Sequence, residues 1–365
     1  MKPSSSLAAL DEAGVNNFDI IRIVAASLVF FSHVYPISGF AGGEPLTAQT
    51  AFISFGTLAV EIFFVVSGYL VTRSLILRDN LIDFAEARAL RIFPALIVCC
   101  LFSALVIGPL ISTYSAIEYF RNAQVWLYAW GNSSLTSLQW FLPGVFESNP
   151  LRGVVNLSLW TLPTEFKMYG AVFALGVCTI LLKRFRAPLI ALAFASYLVH
   201  MFATNSSVLA NHLVSDPEPL IAFFLFGGLV YLCRQFLFIS PTIALLLWAA
   251  LLLSRGGPLA SLLYYVALTY SVVVIAFDQS IRLPQLTRHG DPSYGLYLYG
   301  FPVTQTAMFF LGTPSTDTLV VVAFPVTLIL AVVSWRYVEA PAIAAKGFTS
   351  RHLRTIFPNK STKLE

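Results

Sequence analysis

The chain has 365 residues, of which 57% are hydrophobic, 14% aromatic and only 11% charged. Soluble domains carry about one-quarter charged residues, so an ordinary soluble domain is excluded and a polytopic membrane protein is expected. The net charge of +4 is small and the basic residues fall in turns between apolar segments, so nucleic acid is not an expected partner.

Apolar segments long enough to cross a bilayer core recur along the chain. About ten spans are expected from the pattern, at 19–38, 50–72, 92–113, 158–182, 187–204, 218–233, 237–253, 259–277, 293–312 and 318–338. The expected fold class is therefore an all-α polytopic membrane protein with about ten transmembrane helices. Residues 1–18 read as a cytoplasmic N-terminal segment, 19–340 as the membrane domain and 341–365 as a basic cytoplasmic tail touching anionic lipid. Cytoplasmic loops collect Lys and Arg. With the N-terminus inside, that side gathers Arg73, Arg78, Arg88, Arg91, Lys183, Arg184, Arg186, Arg234, Arg282, Arg288 and the tail residues Lys346, Arg351, Arg354, Lys360 and Lys363. The opposite side keeps Arg121, Arg152 and Arg255 outside the spans. Both termini are expected in the cytoplasm, and the first span lacks the small-residue cleavage pattern of a secretory signal. Cys99, Cys100, Cys178 and Cys233 lie in apolar stretches without metal-ligand spacing, so packing is their expected role and no metal is expected.

In chain order, the first chemistry-bearing pair is Arg22 and His33. Their spacing brings them back to one stripe of the first helix, about 16 Å apart along its axis. Ionisable groups at membrane depth are costly and are candidates for function. Asp19, three residues before Arg22, is placed to hold that arginine. Glu61 stands midway along the second apolar run, where a carboxylate needs a partner or a proton; Arg22, another buried cation and His33 are the candidates.

Arg88 and Arg91 share a helix face at the cytoplasmic side, where positive-inside topology and phosphate binding both account for them. The stretch 114–157 holds Tyr114, Tyr119, Trp126, Tyr128, Trp130, Trp140 and Phe141. It reads as an interfacial aromatic belt for most of these residues, with a sugar-stacking platform as the alternative. Pro163 interrupts the next apolar segment and frees backbone groups, so Glu165 and Tyr169, four residues apart, are placed to line a pocket. A helix cap by Thr161 or Thr164 is the bland alternative. Arg336 and Glu339 have the spacing of an intrahelical ion pair.

Several separated segments together carry a resemblance. They are Phe18-Asp19-Ile20-Ile21-Arg22 continuing to His33, then Val60 to Leu70 with Glu61 inside it, then Arg88-Ala89-Leu90-Arg91-Ile92-Phe93-Pro94. Leu159 to Tyr169, Ser293 to Tyr299 and Ser334 to Pro341 complete the set. In this order they resemble acyltransferase family 3, the integral-membrane O-acyltransferases, and in particular members without a soluble hydrolase-like domain. Each motif is weak alone and the ordered set is strong. The chain departs from the family at Gly300, where many relatives have His, at Lys167, where a neutral residue is usual, and at Ala59, which replaces a common glycine.

The resemblance implies an O-acetyltransferase that takes an acetyl group from cytoplasmic acetyl-CoA and places it on a glycan hydroxyl at the outer face. Surface polysaccharide, O-antigen and a lipo-chitooligosaccharide nodulation signal are the acceptor classes it brings. His33, Arg22 and Glu61 become the catalytic candidates. Arg88, Arg91 and Arg22 become the donor-binding set, and Glu165 and Tyr169 the acceptor-binding one. His33 would serve as general base, or as nucleophile through an acetyl-histidine. The implied partners are membrane lipid, acyl-CoA and the glycan, in the inner (plasma) membrane as a multi-pass protein. The rival reading is a proton-coupled secondary transporter or glycan exporter using Arg22, Glu61 and His33 as a relay.

Overall fold

The computed structural model describes residues 6–50, 53–78, 80–204, 217–254, 258–278, 290–312 and 314–347. Arg255, Arg282, Arg288 and the tail from 348 onward, on which part of the charge-bias reading rests, lie outside the described residues. Among the described residues the fold is helical, and extended backbone pairs only at the isolated bridges Ser6–Phe238 and Phe141–Val154.

The helices are α1 (Leu7–Glu12), α2 (Phe18–Ser38), α3 (Pro45–Thr50), α4 (Phe55–Leu77), α5 (Leu81–Phe102), α6 (Gly108–Ile111), α7 (Ala116–Arg121) and α8 (Ala123–Ser134). They continue with α9 (Leu162–Cys178), α10 (Arg186–Thr204), α11 (Glu218–Leu232), α12 (Pro241–Leu253), α13 (Pro258–Phe277), α14 (Ser293–Leu311), α15 (Thr316–Ser334) and α16 (Ala340–Ala344). A helix stands at each segment expected to span. Among the described residues, 6 are long and apolar enough to cross a membrane: Phe18–Ser38, Phe55–Leu77, Leu81–Ile111, Ile180–Thr204, Leu259–Phe277 and Thr316–Ala344. The chain is thus a multi-pass membrane protein. Helices α9, α11 and α12 are shorter, and α14 is less apolar because it carries Ser293, Thr304, Gln305 and several tyrosines.

Two boundaries move for physical reasons. The span expected at 50–72 runs instead from Phe55, because the Ser54 hydroxyl caps the helix by accepting from Thr57 N–H at 2.9 Å. The span expected from residue 92 begins at Leu81, where Asn80 accepts from Ile82 N–H at 2.9 Å. Arg88 and Arg91 are therefore fixed in direction on α5, on the shared helix face that their spacing gave.

Close backbone approach holds the bundle. A Cβ on Gly68 of α4 would lie 1.9 Å from the Phe224 carbonyl oxygen of α11, and one on Gly227 would lie 2.2 Å from that of Val65. Small residues at such crossings are how membrane helices gain contact, since lipid is as apolar as their side chains. The 114–157 stretch folds back as a second core containing Tyr119, Val125, Tyr128, Leu142 and Phe146. Its anchor is the Tyr119 hydroxyl, which donates to the Ala104 carbonyl at 2.8 Å within the π-helical turn Ser103–Ile107 that extends α5. Tyr114, Trp126, Trp130 and Phe141 stay exposed, as an aromatic belt requires. Cys99 and Cys100 are buried, whereas Cys178 and Cys233 are exposed at helix ends and do not serve the packing expected of them.

Candidate active site

Two connected cavities open among α2, α4, α5, α9 and α14. The inner one, about 110 Å³, is lined by Arg22, Phe63, Ser67, Leu70, Arg88, Arg91, Thr161, Glu165, Tyr169, Tyr294 and Tyr297, among others. The outer one, about 570 Å³, shares Arg22, Leu70, Arg88 and Arg91 and adds Arg73, Arg78, Asp291, Trp335 and Lys346. The three arginines expected to bind a donor thus surround the neck where the cavities meet.

Their electrostatic states differ. Arg22 is paired with Asp19, as its spacing led one to expect, and with Asp291 at 2.9 Å. Arg91 binds the same Asp291 oxygen at 2.7 Å and approaches Glu339 at 3.7 Å. Arg88 stands over the Tyr169 ring, 5.7 Å from its centroid, and its buried Nε has no hydrogen-bond partner. Asp291, a residue that sequence reasoning passed over, is the hub. Ser293 donates to it from Oγ at 2.6 Å and from its backbone N–H at 3.2 Å. Burial would raise the Asp291 carboxyl, but Arg22, Arg91 and the Ser293 bonds outweigh it and hold the group below its usual range. Gly290 makes this turn possible: its φ of +136° suits glycine, and a Cβ there would strike the Trp335 indole nitrogen at 2.0 Å. The available signal was Asp291-Pro292 just ahead of an apolar segment, a helix-start pattern that also set an acid beside basic turns.

Glu165 and Tyr169 come together in the inner cavity. The Tyr169 hydroxyl donates to Glu165, Ser67 donates to the same oxygen at 3.0 Å, and Ser67 lies 3.2 Å from the Tyr169 hydroxyl. They share the cavity with Arg88. Pro163 does not break a longer helix. It sits in the first turn of α9, where its missing N–H costs nothing, after the 3-10 turn Leu157–Thr161. Thr161 makes no side-chain cap; its hydroxyl lies 2.7 Å from that of Tyr297.

The Thr161–Tyr297 pair forms the inner end of the cavity. The Tyr297 hydroxyl donates to the Ser158 carbonyl, and the Ser158 Oγ lies 3.4 Å from His33 Nδ1. Asn156 locks this turn, accepting from Ser158 N–H at 3.1 Å and donating to the Leu298 carbonyl at 2.9 Å. His33 also meets the Phe301 ring edge-on, with centroids 5.1 Å apart. Arg22 and His33 therefore lie at opposite ends of one helix with a layer of hydroxyl groups between. Past His33, the buried Glu44 accepts from Ser32 Oγ at 2.9 Å and from the Phe55 N–H, tying the loop after α2 to the start of α4.

Two expected pairings are corrected. Glu61 is completely buried and accepts from the Tyr264 hydroxyl of α13, a partner outside the candidates named for it. Arg336 and Glu339 do not pair. Trp335–Glu339 is a π-helical turn, whose wider winding turns Glu339 inward to Ser334 at 3.1 Å and to Arg91, and leaves Arg336 exposed over Tyr337. Among the described residues no group of three or more His, Cys, Asp or Glu could hold a metal ion.

Comparison with known proteins follows the same lines. The chain is 32% identical over 335 residues, 89% of its own length and 95% of the relative's, to an O-acetyl transferase of Shigella phage Sf6. It is 28% identical over 363 residues, 90% and 93% of the two lengths, to Nodulation protein 10 of Rhizobium leguminosarum bv. viciae. No solved structure matches the chain significantly. The family model for acyltransferase family 3, described as an acyltransferase domain, matches residues 15–336. This coverage takes in the whole lining of the inner cavity and that of the outer one from Asp19 to Trp335, leaving Ile343 and Lys346 beyond it, and favours the enzyme over the transporter. The chain belongs to acyltransferase family 3 and is a membrane-embedded acyltransferase.

Proposed function

We propose that this enzyme moves an acetyl group from cytoplasmic acetyl-CoA to a hydroxyl of an extracytoplasmic or lipid-linked glycan. Both termini face the cytoplasm in this reading, about ten helices cross the inner (plasma) membrane, and the arginine-lined mouth opens to the cytoplasm. The observation that carries it is that the arginine-lined mouth adjoins an inner cavity lined by Thr161 and Tyr297, whose hydrogen bonds lead through Ser158 to His33. A polyanionic donor needs cations at its entry, and a guanidinium gives phosphate two parallel hydrogen bonds. The inner cavity, at about 110 Å³, suits a slender arm and not a nucleotide. The Arg22-to-His33 rise of about 16 Å is the depth that arm must cover.

In the transfer step, the glycan hydroxyl oxygen attacks the thioester carbonyl carbon while His33 Nε2 takes the hydroxyl proton. The carbon–sulfur bond then breaks, and the CoA thiolate leaves and recovers the proton as a thiol. For Nε2 to be the free base, Nδ1 carries its hydrogen toward Ser158 Oγ, the acceptor 3.4 Å away. Ser158 is thus a positioning residue for the imidazole. Glu165 and Tyr169 line the route with Arg88, and in this reading they orient the reacting ends. A surface polysaccharide, an O-antigen or a lipo-chitooligosaccharide is the acceptor class, in keeping with relatives named O-acetyl transferase and Nodulation protein 10.

The test is transfer by purified protein in lipid vesicles, with labelled acetyl-CoA and a panel of surface glycans and lipo-chitooligosaccharides. Base-labile label on one glycan class supports the assignment and names the acceptor. Failure to bind CoA and to label any glycan overturns it.

A further inference from the structure

The outer cavity holds more positive charge than its carboxylates neutralise. Of the cations on its wall, Arg73 is bound by Asp11 at 3.1 Å, Arg22 by Asp19 and Asp291, and Arg91 by Asp291. Arg78, Arg88 and Lys346 make no ion pair with a described carboxylate. Arg78 donates to the backbone carbonyl of Asp83 at 3.3 Å. Glu165, the carboxylate acting on Arg88, is engaged by Ser67 and Tyr169, and Asp83 acts on Lys346 from beyond ion-pair distance.

Lys346 reaches this place through the fold. After Glu339 the chain turns back along α5 as α16, and Gly347 N–H donates to Glu86 at 2.9 Å. Burial, and then the fields of Arg78 and Arg88, hold the Lys346 ammonium below the usual lysine range. Three like charges assembled in this way are costly until an anion joins them.

The size of the two cavities says which part of the donor that anion belongs to. Ligand pockets run from about 300 to 1,000 Å³; the outer cavity, at about 570 Å³, falls in that range and the inner one does not. A nucleotide must therefore stay outside while its thioester arm enters. The pyrophosphate adjoins the arm and so lies at the neck, beside Arg22, Arg88 and Arg91. The phosphate on the ribose lies farther from the arm, toward Arg78 and Lys346. We propose that Arg78 and Lys346, beside the Arg88 that they share with the neck, form a phosphate-monoester subsite in the outer cavity that reads the ribose 3′-phosphate of the acyl-CoA donor. The proposal rests on the acyl-CoA reading above.

The experiment compares acetyl-CoA with acetyl-dephospho-CoA, which lacks that phosphate, for the full chain in vesicles. Wild type, Lys346→Ala, Arg78→Ala and the conservative Lys346→Arg are measured in neutral lipid and with anionic phospholipid added. Wild type is expected to show a KM at least about tenfold lower for acetyl-CoA, as charge-assisted hydrogen bonds to a phosphate give. The two alanine variants should close that gap and Lys346→Arg should keep it. Equal KM values for the two donors in wild type overturn the proposal, as does an equal rise for both donors in the variants. A Lys346 effect seen only with anionic lipid, and alike for both donors, assigns the cluster to a lipid headgroup and overturns it too. If neither donor supports transfer by wild type, the acyl-CoA reading itself falls and takes this subsite with it.

Discussion

Arg88 and Arg91, three residues apart on α5, stand in opposite electrostatic states: Arg91 is held by Asp291 at 2.7 Å, whereas Arg88 has an aromatic ring and no carboxylate in ion-pair contact. In the proposed reading Arg91 therefore adds a structural bond to its place at the neck, while Arg88 is left for the donor. Removing one partner of a largely buried pair costs roughly 3–5 kcal/mol. Arg91→Ala is expected to lower the melting temperature of the detergent-solubilised protein clearly. Arg88→Ala is expected to keep the melting temperature and raise the donor KM by about tenfold or more. Melting curves beside donor titrations check both; the reverse assignment of the two effects contradicts this reading.

Asp291 fixes how the site responds to acid. A carboxylate whose folded pKa is depressed contributes stability that is complete above its ordinary value and is lost as the pH falls through the folded one. The bridge to Arg22 and Arg91 thus holds throughout the range above about pH 4 and yields only in stronger acid. Asp291→Asn should lower stability at neutral pH and flatten the acid limb of a melting-temperature profile. A variant with an unchanged acid limb would remove Asp291 from this role.

Glu44 behaves in the opposite sense. Burial raises its carboxyl pKa, against the hydrogen bonds from the Phe55 N–H and Ser32. Its favourable contribution is therefore complete below the ordinary glutamate value, near 4.5, and declines as the pH rises through the folded one. The clasp between the loop after α2 and the start of α4 should loosen as the pH rises through that window. Hydrogen exchange at Phe55 reads it, and Glu44→Gln should abolish the dependence.

Glu61 serves as a strut between α4 and α13 through the Tyr264 hydroxyl. Glu61→Gln keeps an acceptor for that hydroxyl and should retain most transfer activity. Glu61→Leu leaves the buried hydroxyl without its acceptor and should cost about 1–3 kcal/mol. Loss of transfer in Glu61→Gln at unchanged stability would return Glu61 to the chemistry.

Much of this architecture was legible because hydropathy along a membrane chain is a strong signal. The apolar runs placed every major helix, and the Arg22–His33 spacing placed both residues on α2. What escaped needed three dimensions. Asp291 meets Arg91 across two hundred positions, and no local pattern ties an acid in one loop to a cation on a distant helix. The Arg336–Glu339 spacing pointed the wrong way because a π-helical turn is invisible in a one-letter pattern read at α-helical pitch. The start of α5 was missed because its first turns carry Asp83 and Glu86, which hydropathy leaves out of a span, although the Arg88–Arg91 spacing was already helical. Tyr297, Thr161 and Ser158 looked like ordinary polar residues in tyrosine- and serine-containing segments, and only packing brings their hydroxyls into line beside His33.

In the proposed reaction His33 takes the proton of the accepting hydroxyl beyond the arginine-lined mouth. The most direct measurement is acetyl-ester formation on the identified glycan by wild type and His33→Ala, each in sealed vesicles with labelled acetyl-CoA. General acid–base groups contribute about 10²–10⁴-fold. His33→Ala should therefore lose transfer by at least about a hundredfold while its donor binding and melting temperature stay within error of wild type. Equal rates for the two proteins would remove His33 from the reaction.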